Sequence, residues 1–380
     1  MTVVRLVWDQ LDRVRLSAAR LTNGDEEVLR PPGRMYKMIR LIFSENHDRV
    51  EGMKKTNDSQ KLRVGIIGLG MVGHPIRRWF EEIRGYVRGK DLFCFDVDER
   101  KGFSDDINKA DVIFVAVPTP TPPDGSSDTS IVRQAVKKIK NGKIVVIKST
   151  VPPGTVESLQ KKFPRKKFIF NPEFLTESHV WADFSHPDRQ IFGPTSQGRQ
   201  VVKEVQLLLP LAPFSRPWST DYSKKEVNAT EAELAKYASN IFGYIKVIFG
   251  NMLADMCAGL GVEYENVRDM ISADPRIGPA WLNVSQGNYA GAGGFCFPKD
   301  MNALIASIEK NLMPDLLKNK KTDKGLMNQL KQALTVLKAI RTYNRELLKW
   351  QGLTEDGVSR HNRDIDVSKK RSIRTPRNGN

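Results

Sequence analysis

The sequence predicts an α/β protein: a Rossmann-like, doubly wound parallel sheet followed by an all-helical domain built on one long central helix. Three observations predict it. An apolar, β-branched run ends in glycines spaced Gly68-x-Gly70-x-x-Gly73 and gives way to a helical pattern. Further short apolar runs read as strands of the same sheet, and from Thr230 to about Leu260 apolar residues fall on nearly every side of a single helical period. The implied division is an N-terminal extension over 1–60, a dinucleotide-binding domain over 61–215, a helical domain over 225–350 and a basic tail over 351–380.

The first strand lies in Lys61-Leu62-Arg63-Val64-Gly65-Ile66-Ile67, and the helix after the glycines runs to about Arg84. The three glycines serve different ends. Gly68 makes the tight turn, Gly70 lets the backbone reach a pyrophosphate, and Gly73 lets helix and strand pack closely. Met71 and Val72 complete that cofactor-facing turn. The glycines alone are a weak signal. They gain weight because the next run, Leu92-Phe93-Cys94-Phe95, ends in Asp96, an acid placed to hold ribose hydroxyls. Asp96 implies NAD rather than NADP, with Asp98 a competitor for the role and Arg100 a group that would tolerate a 2′-phosphate.

A third strand over Asp111–Val117 runs into Pro118-Thr119-Pro120, and a fourth over Lys143–Lys148 runs into Ser149-Thr150-Val151-Pro152-Pro153-Gly154-Thr155. Both turns fall at carboxyl ends of parallel strands, the edge where open α/β sheets bind ligands. Pro118, Thr119 and Thr150 are therefore candidate cofactor contacts, although the same residue types also serve as turns and caps. After Phe168-Ile169-Phe170, Asn171 as N-cap and Pro172 as first helical residue predict a short helix with Glu173 and Glu177 on one face. A carboxylate pair suits general acid/base work; solvated surface glutamates are the plainer alternative.

The long helix reads as buried all round, so Lys236 and Asn240, one turn apart with Gly243 beyond, stand out on it. A buried ammonium needs a carboxylate or a substrate oxygen, unless it snorkels from the helix start. Downstream comes Gly293-Gly294-Phe295-Cys296-Phe297-Pro298-Lys299-Asp300, with Pro298 suited to the first position of a helix. A thiol at that helix N-terminus, beside Lys299, is expected to ionise below the free value of about 8.5; the alternative is a small buried apolar residue.

Together these segments resemble the UDP-glucose/GDP-mannose 6-dehydrogenase family. The matching stretches, in family order, are GLGMVG (68–73), VPTPTPPDG (117–125), KSTVPPGT (148–155), NPEFLTES (171–178), PDR (187–189), KYASN (236–240), DPRIG (274–278) and GGFCFPKD (293–300). The resemblance implies oxidation of a nucleotide sugar's C6 alcohol to a carboxylate, with UDP-glucose to UDP-glucuronate as the expected case. It implies two hydride transfers to NAD, with Cys296 holding the sugar as a thiohemiacetal and then a thioester. Lys236, Asn240 and Asp300 become its catalytic neighbours, while Thr150, Glu173 and Glu177 handle protons and water. Lys299 joins Gly68, Gly70, Met71, Val72, Gly73, Asp96, Pro118, Thr119 and Thr150 as cofactor contacts. Phe174, Leu175, Lys236, Asn240 and Gly293 become substrate contacts, and Arg276 resembles an arginine reaching substrate across a dimer interface. The long helix would form the core of that homodimer.

Departures qualify this. Only Val97 to Ala110 separate Asp96 from Asp111, where relatives usually carry another helix and strand. The usual phenylalanine of the glycine run is Ala292, and the stretch from Arg276 to Cys296 is longer than expected. Nothing after about Trp350 reads as the family's second α/β domain; Gln351–Asn380 is polar and basic, a composition expected to be disordered. A UDP-N-acetylhexosamine or GDP-mannose dehydrogenase, an enzyme stopping after one hydride, and a truncated non-catalytic NAD or nucleotide-sugar binder are the alternatives.

Composition agrees. With 40% apolar and 27% charged residues, the 380-residue chain has a soluble protein's balance. Cys94, Cys257 and Cys296 form no C-x-x-C pair, so neither a disulfide framework nor a metal site is expected, and a reducing cytoplasm is. A net charge of +16 favours anionic partners such as NAD and a nucleotide sugar. No RNA-binding motif accompanies the basic tail, and the apolar piece at 35–43 is too short to span a membrane, so neither nucleic acid nor membrane is the expected partner.

Overall fold

The protein is described by a computed structural model over residues 61–212, 214–216, 227–286, 289–319 and 322–359. The expected N-terminal extension and residues 360–380 of the expected tail lie outside the described residues.

Five parallel strands form the sheet: β1 (Val64–Ile67), β2 (Leu92–Phe95), β3 (Val112–Val115), β4 (Ile144–Ile147) and β5 (Lys167–Phe170). β6 (Arg189–Ile191) lies outside this sheet and pairs with β8 (Phe214–Arg216), while the short β7 (Gly193–Pro194) runs antiparallel beside β5. The order is β2-β1-β3-β4-β5-β7. β1, β3 and β4 are buried along their whole length, as all-apolar central strands must be when both faces are covered. The order reverses between β1 and β3, which opens a crevice at the strands' carboxyl ends. Helices α1 (Gly73–Arg78, continuing in a wider turn to Ile83), α2 (Ser130–Lys138), α3 (Thr155–Lys162), α4 (Val180–Ser185) and α5 (Val202–Leu208) connect the strands.

Between β2 and β3 the chain makes only two short 3-10 turns, Glu99–Lys101 and Ile107–Lys109. Asp105 holds this abbreviated link to the sheet, accepting from the Cys94 backbone at 2.9 Å and from Arg88 at 2.9 Å.

The helical region starts at α6 (Ala229–Leu260), whose N-terminus carries a reciprocal cap: Asn228 accepts from Glu231 N, and the Glu231 carboxylate accepts from Asn228 N. α7 (Tyr264–Ser272) follows, then a small hairpin of β9 (Ser285–Gln286) and β10 (Tyr289–Ala290), then α8 (Phe297–Ser307), α9 (Met313–Lys318), α10 (Lys324–Trp350) and α11 (Glu355–Val358). α8 comes close to α6 at Gly243, where a Cβ would stand 2.7 Å from the Phe297 ring. Ile241, Tyr244, Ile248, Met301, Ile305 and Leu334 make the core there.

Two expectations are corrected. The long helix is not buried all round: Phe242 is 62% and Met256 57% exposed, with Leu234 and Phe249 on the same face. Within one chain the sheet domain, α8 and α10 cover only the opposite side. α6 is also long and apolar enough to cross a bilayer by length and composition, yet Glu233, Lys236 and Asn251 on it are buried inside the protein. The second correction concerns the tail, which was expected to begin at Gln351. Gln351 and Val358 are buried and the packed chain continues to Ser359, because three residues of that segment find apolar or backbone partners in the core.

Candidate active site

The glycine turn joins β1 to α1, and each glycine has a different surrounding. Gly68 has φ +90°, and a side chain there would meet the Ala116 carbonyl at 2.5 Å. A Cβ on Gly73 would lie 1.8 Å from the Gly68 carbonyl. Gly70 has nothing within 4 Å of its missing Cβ, so no protein contact explains the glycine there. Open backbone at that point fits a ligand's pyrophosphate resting on the turn.

Asp96, at the end of β2, accepts from Leu69 N at 2.7 Å within that turn and from Asp98 N at 2.9 Å, and pairs with Lys101 at 2.9 Å. Burial opposes its ionisation, but those donors outweigh it and hold the carboxyl below its usual range. Asp98 instead pairs with the exposed Arg100 at 2.8 Å. A cavity of about 470 Å3, lined by Phe95, Asp96, Val97, Glu99, Gly102, Phe103 and Ser104, opens beside Asp96. Its size and the Asp96 carboxylate, oriented by two backbone donors, suit a nucleoside. Farther along the crevice, Thr119 Oγ1 donates to the Thr150 carbonyl at 2.9 Å, tying the turn after β3, which includes Pro118, to the turn after β4.

A second cluster gathers where α6, α8 and the segment after β5 meet. Lys236 Nζ lies 3.2 Å from Glu173 Oε1, with both side chains nearly shut from water. Burial disfavours the ammonium, but Glu173, then Cys296 and Asp300, more than compensate and hold it above its ordinary value. Asp300 is 1% exposed and accepts from Asn240 Nδ2 at 2.5 Å and from Lys299 Nζ at 2.6 Å. Among the described residues, Glu173 Oε2 is buried with no hydrogen-bond partner. Phe174 sits against Arg189 at 3.9 Å and Lys236 at 5.3 Å.

Cys296 occupies the N-cap of α8, so Pro298 is the second helical residue rather than the first. The expected acidification of its thiol is overturned. Burial pushes it up to about 11; Lys236 and Lys299 pull the other way, but Asp300 and Glu173 oppose ionisation. The predicted helix over Glu173 and Glu177 is absent as well, since 171–176 is irregular and α4 starts only at Val180. Asn171 is not a cap because its side chain is spent inside: it accepts from Lys148 Nζ at 2.8 Å and donates to Gln190 and to the Ile191 carbonyl. Glu177 thus shares no helix face with Glu173 and stands at the surface; burial pushes the Tyr289 hydroxyl up to about 12, and the charge of Glu177 adds to this. Leu175 packs against the sheet's core, Gly293 lies under the Tyr289 hydroxyl, and the exposed Arg276 pairs with Asp274 of its own loop at 2.6 Å. Met71 and Val72 remain in the glycine turn, with Val72 touching the core.

Sequence reasoning gave no individual role to five groups, four of them buried and Arg189 half-buried. Lys148 lies behind Glu173, and burial pulls it down to about 8 although Glu173 opposes this. Arg189 donates to Ser239 at 3.0 Å. Asn344 and Gln351 bind the segment before Cys296. Glu233 accepts from Gly154 N at 2.6 Å and Val156 N at 2.8 Å, joining α6 to the turn that carries Thr150; burial raises it to about 8. The only available signal for Glu233 was an acid one turn before Lys236 on an apolar helix.

Comparison with known proteins gives a consistent result. Residues 101–207 match the family model described as UDP-glucose/GDP-mannose dehydrogenase family, NAD binding domain, and residues 230–322 match the central domain of the same family; together they cover just over half of the chain. A UDP-glucose 6-dehydrogenase of Rickettsia bellii is 34% identical over 219 residues, 55% of this chain and 48% of that protein. One from Pseudomonas aeruginosa is 38% identical over 216 residues, 53% of this chain and 45% of that protein. The chain thus spans about half the length of the curated relatives it matches. Among solved structures, a UDP-glucose dehydrogenase from Pyrobaculum islandicum superposes with a TM-score of 0.59 at 25% identity, covering 78% of this chain and 71% of that one.

Proposed function

The chain belongs to the UDP-glucose/GDP-mannose dehydrogenase family, and on that premise we propose that it oxidises the C6 alcohol of a nucleotide sugar, UDP-glucose first among candidates, to the carboxylate. The observation that carries this is the cluster of the buried Lys236 and Asp300 and the largely buried Glu173 with the half-buried Cys296 and Asn240, in which Glu173 keeps one buried oxygen without a partner among the described residues.

The glycine turn and Asp96 would hold NAD, which would accept the hydride of the first oxidation, with a second NAD in its place to accept that of the second. Lys236 and Asn240 hold the C6 oxygen as its proton passes to the free Glu173 oxygen and an aldehyde forms. The Cys296 thiol gives up its proton within the cluster as sulfur adds to the aldehyde carbon; Lys236 and Asn240 then stabilise the resulting oxyanion. Loss of a second hydride from that carbon leaves a thioester on Cys296. The free Glu173 oxygen, with Thr150 at the adjoining turn, orients the water that displaces sulfur, and the acid leaves while the thiol regains a proton. The raised thiol fits this order: the sulfur stays protonated and quiet until an aldehyde is present. Glu177, Phe174, Leu175 and Gly293 border the sugar in this reading. The exposed stripe of Leu234, Phe242, Phe249 and Met256 forms a homodimer contact, from which Arg276 reaches the partner's substrate. Three free cysteines suit a reducing cytoplasm.

The test is a panel of UDP- and GDP-sugars incubated with NAD and the purified chain, following NADH absorbance. Turnover on one or more sugars is expected. Binding of NAD or sugar without any turnover would instead mark a non-catalytic binder.

A further inference from the structure

The segment that leads into Cys296 is gripped residue by residue from one side. Gln351 accepts from Ala290 N at 2.8 Å and donates to the Ala290 carbonyl at 2.8 Å. Asn344, two helical turns earlier on α10, accepts from Ala292 N at 2.8 Å and donates to the Ala292 carbonyl at 3.0 Å. The Val358 carbonyl then accepts from Gly294 N at 2.9 Å. Every second residue of this bent segment is thereby paired, Ala290 and Ala292 at both backbone groups by carboxamides that stand in for a neighbouring strand's backbone, and Gly294 by a carbonyl. Asn344, Gln351 and Val358 are each at most 1% exposed.

The fit leaves no room for side chains. Gly291 has φ +109°, and a Cβ there would lie 2.7 Å from Asn344 Oδ1; one on Gly293 would lie 1.8 Å from the Tyr289 hydroxyl. Tyr289 in turn packs on Leu348 and Val358. The far side of Cys296 is held from the same region. Asn302 of α8 accepts from Arg341 at 2.9 Å and donates to Glu355, which pairs with Arg345 at 2.6 Å. Both flanks of the cysteine therefore answer to one C-terminal segment.

We propose that Asn344 and Gln351 are positioning residues that set the half-buried Cys296 thiol against Lys236 and Asp300 and limit its exposure to water. The proposal rests on the reading of Cys296 as the nucleophile. With the carboxamides gone, the Ala290 and Ala292 backbone groups lose buried partners and the segment shifts toward water. The sulfur then becomes more reachable from solution and less well aimed at a bound aldehyde.

The experiment compares the full chain with its Asn344→Ala, Gln351→Ala and Gln351→Glu variants. Each is alkylated with iodoacetamide from pH 7 to 10 and the modification of Cys94, Cys257 and Cys296 is read separately by peptide mass spectrometry. Cys296 in the alanine variants is expected to react about tenfold faster or more, with Cys94 and Cys257 unchanged, while kcat for NADH formation falls about tenfold or more at unchanged KM for NAD, since small misplacements of reacting groups are costly. Gln351→Glu is expected to match the alanine variants at high pH and return toward the parent rate as pH falls, because a protonated carboxyl again both donates and accepts; it carries the test should Asn344→Ala not fold. Unchanged Cys296 alkylation in folded variants overturns the proposal, and so does parallel acceleration of all three cysteines, which would mean general loosening. The alkylation pattern without any NADH formation in the parent chain would refute the functional reading, and with it the aiming of the thiol at an aldehyde, and leave only the control of access to Cys296 standing.

Discussion

Lys236 and Glu173 form an ion pair at 3.2 Å in which neither side chain exceeds 9% exposure. One comes from the first turns of α6 and the other from the irregular segment after β5, so the pair fixes the helical region against the sheet's binding edge. Such a pair is held by mutual need. Each charge is tolerable only while the other is present.

Removing one member is therefore expected to cost more than removing both. Lys236→Met should lower stability by about 3–5 kcal/mol, and adding Glu173→Leu should recover much of that loss. Urea unfolding of the two single variants and the double variant measures this. Additive losses would mean that the two groups do not interact.

The glycine turn separates folding from binding. Gly73→Ala forces a Cβ into the Gly68 carbonyl and should prevent stable folding, whereas Gly70→Ala meets no protein atom and should leave the melting temperature within a degree or two while weakening NAD by about tenfold or more. Calorimetry and NAD titration report the two effects independently. Equal melting losses in both variants would contradict the assignment.

Cofactor choice is expected to lie in Asp96 and Lys101. Asp96→Ala removes the acceptor for the ribose hydroxyls and the charge that repels a 2′-phosphate, leaving Lys101 unpaired beside it. NAD should weaken by about tenfold and the preference should move toward NADP. Fluorescence titration with both cofactors decides, and an unchanged ratio would place the ribose elsewhere.

Glu233 gives the fold a pH dependence with a definite sign. Its carboxyl is raised from 4.5 to about 8, so the native protein takes up a proton relative to the unfolded chain. That contribution is complete below about pH 4.5 and is lost as pH rises toward about 8. Glu233→Gln should flatten the stability profile across this window while keeping one acceptor for Gly154 or Val156. A profile identical to the parent's would show that Glu233 does not titrate there.

The sheet, the glycine turn and the long helix were legible because period and punctuation are local: β-branched runs, Gly68 to Gly73, and an apolar helical period from about Thr230. The meeting of Lys236 with Glu173 followed from asking where a buried ammonium finds a partner, whereas Asp300 and its grouping with Asn240 were implied by the family resemblance. Other features escaped because they depend on the third dimension. Asn171 and Pro172 carry a helix-start signal, but Lys148 and Gln190 claim the asparagine side chain first. The thiol's direction was misjudged because a helix end and one lysine were visible in sequence, whereas burial and two opposing carboxylates were not. Asn344 and Gln351 look like ordinary polar positions on an amphipathic helix until their backbone partners are seen.

The central claim is that one sulfur carries the sugar between two oxidations. Single-turnover reaction of excess NAD with a limiting active nucleotide sugar, counting NADH per sugar for the parent and for Cys296→Ser, tests it most directly. Two NADH and a carboxylate product are expected from the parent, and at most one NADH, with aldehyde trapped by hydroxylamine, from the variant. Two NADH from Cys296→Ser, or one from the parent, would contradict it.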